Sequence, residues 1–261
     1  MNPFLFGIFP YIALAIGIIG SIARYERDPF TWKSSSSQLL RRRQLVLGSV
    51  LFHVGVIVIF LGHLFGLLVP IRFYDFLGVS HGAKQTLAIV AGGIAGVVAL
   101  AGGVLLLHRR WSDPRIAKTS DFWDYAILLM LLAQLVLGLG TIFVSLDHLD
   151  GSEMVRFMSW AQGIFAFDGS AADYVADSAL VFKLHIALGL LIIAVFPFTR
   201  LVHMLSGFAA PFRYLLGRTG YQLVRSRRRT TLPRERSTAR MFGNPEGGDA
   251  TARGAARPPA E

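Results

Sequence analysis

The sequence predicts an all-α integral membrane protein built from five transmembrane helices. Three observations lead to this prediction. Hydrophobic residues make up 53% of the 261 residues and the mean hydropathy is +0.52, which is typical of a membrane protein. Five apolar stretches are long enough to cross about 30 Å of hydrocarbon at about 1.5 Å per residue. Basic residues cluster in alternate connections between these stretches, as expected for a multi-pass protein.

The individual stretches carry different signals. The first is followed by Arg24 and has no basic segment before it, so we expect a retained span and not a cleaved signal. The third contains clustered glycines between Gly92 and Gly103, which favour close helix packing. The fifth contains Pro197, which favours a kink. The five predicted spans lie near residues 4–22, 44–69, 86–107, 125–146 and 178–205.

The distribution of Lys and Arg predicts the orientation of the spans. The connections 23–43 and 108–124 and the segment after residue 199 are rich in these residues, whereas 70–85 and 147–177 contain few. The positive-inside rule then places the N-terminus outside and the C-terminus in the cytoplasm. The connection 147–177 is long enough to form a surface helix that covers an outward-facing site.

Two parts are predicted along the chain. Residues 1–220 form the five-helix membrane domain, and residues 221–261 form a tail rich in Arg, Pro and Gly that we expect to be largely disordered. The formal net charge is +10, but the basic clusters flank the spans. This placement favours contact with anionic lipid headgroups over binding of nucleic acid.

The absence of cysteine limits the redox chemistry that the chain can support. It excludes disulfides, thiolate-bound iron–sulfur clusters and covalently attached c-type haem. A redox cofactor would therefore have to be held by histidine or methionine, or be a diffusing quinone. Met154 and Met158 in the outer connection are candidate iron ligands in principle, although a plain surface helix is the favoured interpretation.

Four histidines lie inside two of the predicted spans. His53 and His63 belong to the second span, and His185 and His203 belong to the fifth. Ionisable side chains are rare in hydrocarbon, and a single one is more often a packing residue than a ligand. The two spans run in opposite directions, so His53 would be level with His203 and His63 with His185. Two pairs of neutral imidazoles at two depths are the ligand set of two b-type haems.

The spacing of these histidines is unequal. His53 and His63 are separated by about 15 Å of helix, whereas His185 and His203 would be separated by about 27 Å if the fifth span were one continuous helix. Both pairs can therefore close only if a helix tilts or bends, and Pro197 is the natural place. Two cations flank the second pair, Lys183 and Arg200, and either snorkel to the interface or pair with haem propionates.

Several motifs resemble the gamma subunit of respiratory nitrate reductase, a dihaem membrane cytochrome b. The resemblance covers residues 5 to about 225 and rests on the histidine spacing, the loop motifs and the number of spans. The motifs are FHVGVIVIFLGHLFG, KQTLAIVAGG, GGVLLLHRR, DGSEMVRFMSWAQ, KLHIALG and FPFTRLVHMLS. The Arg-rich extension after residue 225 departs from the shorter family pattern.

The resemblance implies a quinol-oxidising membrane anchor for a cytoplasmic molybdenum enzyme. It assigns the inner haem to His53 and His203 and the outer haem to His63 and His185, in agreement with the helix directions. It associates Lys84 with the quinol pocket, so the quinol would bind close to His63, Gly66 and Lys84. Electrons would pass inward through the two haems to an iron–sulfur beta subunit and a molybdenum alpha subunit, and protons would leave to the outside.

No residue of the chain is itself predicted to be catalytic, and the sequence contains no site for nitrate. Two alternatives remain at this stage. The first is a related cytochrome b that serves another respiratory complex. The second, from a different class, is a haem-free, proton-coupled transporter whose histidines relay protons.

Overall fold

The computed structural model describes residues 3–32, 40–147 and 149–206, all of which are helical or in turns and connections, with no strand among them. Residues up to Met204 form one compact unit. The predicted tail 221–261 lies outside the described residues. The helices are α1 (Phe9–Arg27, preceded by a π-helical turn, Phe4–Ile8), α2 (Arg42–Leu68), α3 (Ile71–Phe76), α4 (His81–Ser112), α5 (Pro114–Lys118), α6 (Phe122–Ser145), α7 (Ser152–Phe165) and α8 (Leu180–Val195).

Five helical segments in the described residues are long and apolar enough to cross a membrane, which confirms the predicted number of spans. They are Phe4–Arg27, Arg42–Leu68, His81–Ser112, Phe122–Ser145 and Leu180–Phe198. Large apolar side chains on them are exposed, for example Ile19, Leu87 and Phe143. An exposed apolar surface of this extent suits contact with lipid and not with water.

The spans pack in the order α2, α4, α6, α8 and α1. The seam between α2 and α4 is the closest, because glycines on both helices allow the backbones to approach. A Cβ added to Gly102 would lie 2.3 Å from the backbone nitrogen of Phe52, and one added to Gly55 would lie 2.5 Å from the carbonyl oxygen of Ala95. The predicted packing role of the third span is confirmed at Gly102, whereas Gly92 faces open space.

Side-chain caps define where several helices begin. Ser80 accepts a hydrogen bond from the backbone of Ala83 at the start of α4, and Asp121 and Asp124 form a capping box at the start of α6. Asp113 caps α5 by accepting from the backbone N–H of Arg115 at 3.0 Å. Burial pushes the pKa of Asp113 upward, but that hydrogen bond and the nearby charges of Arg115 and Arg41 hold it below its usual value.

The last span differs from the single helix predicted over 178–205. Helix α8 ends at Val195, and the chain continues through two short 3₁₀ segments, Phe196–Phe198 and Arg200–Leu205. Pro197 explains the end of the helix, because proline lacks the N–H needed for the next helical hydrogen bond. Its ring packs against α1 at Gly20, where an added Cβ would lie 2.7 Å from the proline Cγ.

Candidate cofactor site: two facing histidine pairs

The structure brings the four histidines together as two pairs. The ring centres of His63 and His185 are 6.1 Å apart, and those of His53 and His203 are also 6.1 Å apart. We call them the outer and the inner pair, after the orientation predicted from the sequence. The ring planes meet at 37° in the outer pair and at 70° in the inner pair. Two imidazoles on opposite sides of one metal, with metal–nitrogen bonds of about 2.0–2.1 Å and ring centres about 1.1 Å further, would be separated by about 6.3 Å. Both pairs therefore match the spacing of two imidazoles that share one metal ion.

The two members of each pair lie on different segments, with α2 facing α8 in the outer pair and α2 facing the 3₁₀ segment beyond α8 in the inner pair. Helix α2 packs chiefly on α4, and its two histidines are exposed on the side that faces α8 and the segment beyond it. On the same helix, Gly62 and Gly66 would meet no atom of the described residues within 4 Å if a Cβ were added. The surface of α2 next to His63 is therefore thin and open.

The chemistry of the site also suits a group that brings ligands of its own. The described residues contain no cluster of three or more His, Asp or Glu side chains that could hold a metal ion. Each pair offers two ligands, so a metal between them needs additional ligands, as the iron of haem has from its macrocycle. The residues present thus fit two haems with two histidine ligands each.

Three of the four imidazoles are oriented by a main-chain carbonyl. The Nδ1 of His53 lies 2.7 Å from the carbonyl oxygen of Ser49, that of His63 lies 2.8 Å from Ile59, and that of His203 lies 2.6 Å from Arg200. Because a carbonyl only accepts, Nδ1–H must be the donor in each bond. The lone pair is then on Nε2, the nitrogen that would bind iron.

His185 is oriented differently from the other three. Its Nδ1 is buried and, among the described residues, has no hydrogen-bond partner. Its polar neighbour is Gln134 of α6, whose amide nitrogen lies 3.0 Å from the His185 carbonyl oxygen and 3.4 Å from its Nε2. The ring lies against Gly138, where an added Cβ would come within 3.0 Å of the histidine Cε1.

A clamp formed by Arg24 holds the break after α8, a few residues before His203. The guanidinium of Arg24 donates to the carbonyl oxygens of Pro197 at 2.6 Å and Thr199 at 2.8 Å. The same group bonds the hydroxyl of Thr31 at 3.2 Å and its carbonyl at 3.0 Å. Arg24 therefore ties the end of α1 to the segment that carries His203.

A second set of charges holds the other side of the same segment. Arg200 pairs with Asp124 at the start of α6, and Asp124 also pairs with Arg110 at 3.1 Å. Arg200 thus has a carboxylate partner in the protein and does not simply extend to the interface. Lys183, near the other end of α8, donates to the carbonyl oxygen of Ala176 at 2.5 Å.

Lys84 and Gly66 are brought together near the outer pair. Lys84 is only 7% exposed, and its Nζ donates to the carbonyl oxygen of Gly66 at 3.1 Å, one helical turn beyond His63. The same nitrogen lies 3.0 Å from the sulfur of Met158 and 3.6 Å from the ring centre of Tyr74. None of these contacts is with a carboxylate, so the charge of the ammonium group is not neutralised by them.

Two of the residues around Lys84 come from the outer connections. Met158 belongs to α7, and the presence of this helix confirms the helix predicted in 147–177. The Met158 side chain lies on the buried face of α7. The Tyr74 hydroxyl donates to the carbonyl oxygen of Phe65 at 2.8 Å, and burial raises the pKa of Tyr74. The phenol is therefore neutral at physiological pH.

Sequence reasoning missed Arg24, Asp124, Tyr74 and Gln134 as members of this site. For Gln134 a signal existed, because it is the one polar side chain in the apolar run from residue 126 to residue 140. For the others no local pattern separates a supporting residue from an ordinary charge at the end of a span.

Comparisons with known proteins agree with the resemblance noted in the sequence. The family model described as nitrate reductase gamma subunit matches residues 2–227. The chain is 47% identical over 229 residues to the respiratory nitrate reductase 2 gamma chain of Escherichia coli (strain K12), which covers 87% of this chain and 98% of that protein. It is 45% identical over 228 residues to the respiratory nitrate reductase 1 gamma chain of the same organism, with the same coverage. The nitrate reductase gamma chain of Bacillus subtilis (strain 168) is 39% identical over 211 residues, 81% of this chain and 93% of that protein.

Proposed function

This chain belongs to the nitrate reductase gamma subunit family, and from that membership we propose that it is the quinol-oxidising cytochrome b of its complex. As a gamma subunit it is a membrane component of a multi-subunit nitrate reductase. The proposed reaction converts quinol to quinone near the periplasmic side, releasing two protons outward and passing two electrons inward. The proposed acceptors are an iron–sulfur beta subunit and a molybdenum alpha subunit in the cytoplasm, and nitrate is reduced there and not by this chain.

The observation that carries the proposal is the equal ring separation of 6.1 Å in both histidine pairs. His63 and His185 would hold the outer haem b, and His53 and His203 would hold the inner one. When bound, the haems supply one-electron redox chemistry at two depths of the membrane. The chain's own part is to hold the two imidazoles of each pair at the right ring separation and to fix three of the four rings through their Nδ1–H hydrogen bonds.

Lys84 is the proposed quinol-binding side chain. Its ammonium group lies beside Gly66, close to His63, and can donate a hydrogen bond to a quinol oxygen. A positive charge there favours loss of the quinol hydroxyl proton, because it stabilises the oxygen as negative charge develops on it. The carbonyl oxygen of Gly66, the sulfur of Met158 and the ring face of Tyr74 contact the ammonium group and hold it in place.

The proposed setting is the bacterial cytoplasmic (inner) membrane, with the N-terminus in the periplasm and the C-terminus in the cytoplasm. The support for this orientation is the basic character of the connections at one end of the spans. Residues 1–220 would form the cytochrome domain in contact with lipid and the quinone pool. The tail 221–261 is proposed to be a largely disordered cytoplasmic extension.

The first experiment is a reduced-minus-oxidised spectrum of the full chain purified from haem-replete cells. We expect b-type absorbance corresponding to two haems. His63→Ala should lose one haem and quinol oxidation, and His203→Ala should lose the other haem. His108→Ala is the matched control, because His108 bonds Gln44 and belongs to neither pair.

Two results would contradict the proposal. A colourless but stably folded protein would favour the haem-free transporter. An unchanged spectrum after His63→Ala would refute the pairing. Copurification of iron–sulfur and molybdenum subunits would distinguish nitrate reductase from a related respiratory complex.

A further inference from the structure

The contact between α6 and α8 contains a reciprocal arrangement of two polar side chains and two glycines. Gln134 and Gly138 lie one turn apart on α6, and His185 and Gly189 lie one turn apart on α8. The amide of Gln134 lies over Gly189, where an added Cβ would be 3.2 Å from its nitrogen, and the His185 ring lies over Gly138. Each glycine leaves the space that the polar side chain of the other helix occupies.

This arrangement leaves two complementary atoms without partners. Within the described residues, the Oε1 of Gln134 and the Nδ1 of His185 are both buried and have no hydrogen-bond partner. A buried polar group without a partner costs about 1–3 kcal/mol, so two of them on contacting residues in an apolar region call for an explanation. An amide oxygen accepts and an imidazole N–H donates, so each can satisfy the other.

The other three histidines show what His185 lacks. In each of them, Nδ1 bonds to a carbonyl oxygen of its own helix or segment, and Nε2 is left with the lone pair. The described structure shows no such carbonyl for the Nδ1 of His185. Gln134 is the polar side chain that contacts this ring, with its amide nitrogen 3.4 Å from Nε2 and 3.0 Å from the His185 carbonyl oxygen. The unpartnered Oε1 of the same amide can supply the missing acceptor once Nε2 is turned toward His63.

We propose that Gln134 is the positioning residue of the outer haem ligand His185. Its Oε1 accepts the Nδ1 hydrogen when Nε2 is turned toward His63, and its amide nitrogen anchors the pair to the α8 backbone. This inference rests on the proposed function, because it concerns a ligand of the outer haem. An acceptor on Nδ1 makes the imidazole a stronger electron donor and favours ferric iron, so Gln134 lowers the potential of the outer haem.

The test measures the potentials and spectra of the two haems in the full chain. Gln134→Met keeps the length of the side chain and removes both hydrogen bonds. We expect both haems to be retained and the one-electron equilibrium of the outer haem to shift at least tenfold toward the ferrous form, which is about 59 mV for a one-electron couple. The low-spin ferric EPR signal of the outer haem should shift as well, because it responds to the angle between the imidazole planes.

Three controls separate this role from general damage to the fold. The inner haem of the same sample should keep its potential. Thr141→Val removes another polar group from α6, one that bonds the carbonyl of Gly138, and should leave both haems unchanged. Gln134→Glu should restore most of the outer potential, because a carboxylic acid kept neutral in apolar surroundings offers both a donor and an acceptor.

The outcomes are distinct. Loss of the outer haem alone would support the positioning role in a stronger form. An unchanged or lowered outer potential, equal shifts in both haems, or loss of both haems would overturn it. A wild-type chain that binds no haem would instead defeat the proposed function, since no outer haem would exist to be positioned.

Discussion

The outer and inner histidine pairs have the same ring separation but are held by different means. The outer pair joins two continuous helices, α2 and α8, and the neutral amide of Gln134 supports His185. The inner pair joins α2 to a 3₁₀ segment beyond a helix break, and that segment is supported by charged groups, Arg24 and the Arg200–Asp124 pair.

The break after α8 explains the difference. A continuous helix satisfies its backbone groups internally, so the outer pair needs no charged group to bond its main chain. The break exposes carbonyl oxygens beside the inner pair, and the guanidinium of Arg24 bonds two of them. The same ligand spacing is thus reached by regular helices in one place and by a clamped irregular segment in the other.

The break also accounts for the unequal sequence spacing. From His185 to the end of α8 at Val195 there are ten residues (195 − 185), the same interval as between His53 and His63. Each interval corresponds to about 15 Å of helix. The eight residues that remain before His203 leave the helix and return its ring to the level of His53.

The substitution with the largest expected effect should disrupt both histidine pairs together. Gly102→Leu would force a side chain against the backbone of α2, because even its Cβ would lie 2.3 Å from the nitrogen of Phe52. Backbone cannot yield as a flexible side chain can, so α2 should separate from α4 and carry both of its histidines away. We expect loss of both haems, measured by the b-type absorbance per purified chain.

Gly92→Leu is the control for that experiment. It lies on the same helix in open space and should retain both haems. Retention of either haem in Gly102→Leu would show that one pair does not depend on the α2–α4 seam.

The next largest effect should separate the inner pair from the outer pair. Arg24→Met leaves the carbonyls of Pro197 and Thr199 without their donor, at about 1–3 kcal/mol for each carbonyl that stays buried. We expect the inner haem alone to be lost or to change its potential, and a redox titration of both haems measures this. Arg27→Met, an exposed position of the same helix, should have no effect. A change confined to the outer haem would contradict the clamp.

A smaller effect is expected at the proposed quinol site, with both haems retained. Lys84→Met removes the ammonium group beside Gly66, and quinol oxidation should fall about tenfold to a hundredfold, as expected for a lost hydrogen bond from a charged group of about 1.5–3 kcal/mol. Both haem spectra should remain. Lys118→Met, on exposed α5, provides the matched control. An unchanged rate would remove Lys84 from the proposed quinol site.

The smallest effect tests how Lys84 is held. Tyr74→Phe keeps the ring under the ammonium group but loses the hydroxyl bond to Phe65, so the KM for quinol should rise about twofold to threefold. Tyr74→Leu also loses the cation–π contact, about 0.5–2 kcal/mol, and should raise KM further. Burial raises the pKa of Tyr74, so its phenol stays neutral in the wild type between about pH 6 and 9. Tyr74→Phe removes a hydroxyl that does not titrate in this range, and its pH profile should match that of the wild type. A shifted profile would assign the hydroxyl a role in proton release.

Much of the architecture could be predicted because it depends on local properties of the chain. Five spans follow from hydropathy, and the ligand candidates follow from the rarity of histidine in apolar segments. The single helix predicted over 178–205 was wrong after residue 195. Pro197 indicated a kink, but whether a proline bends a helix or ends it depends on what satisfies the exposed carbonyls, and here that is Arg24 of a distant helix.

The sequence by itself thus determined the class of fold, the number of spans, the choice of four histidines as candidate ligands, and the family. Only the tertiary structure decided that the ring centres of both pairs lie 6.1 Å apart and that Lys84 lies against Gly66 and Met158. It also decided that the side chains of Gln134 and His185 each pack over a glycine of the other helix. The physical reason is that hydropathy and charge act along neighbouring residues. The supports of the ligands are directional bonds between helices, such as the one from Arg24 to Pro197, and they exist only once the helices have packed.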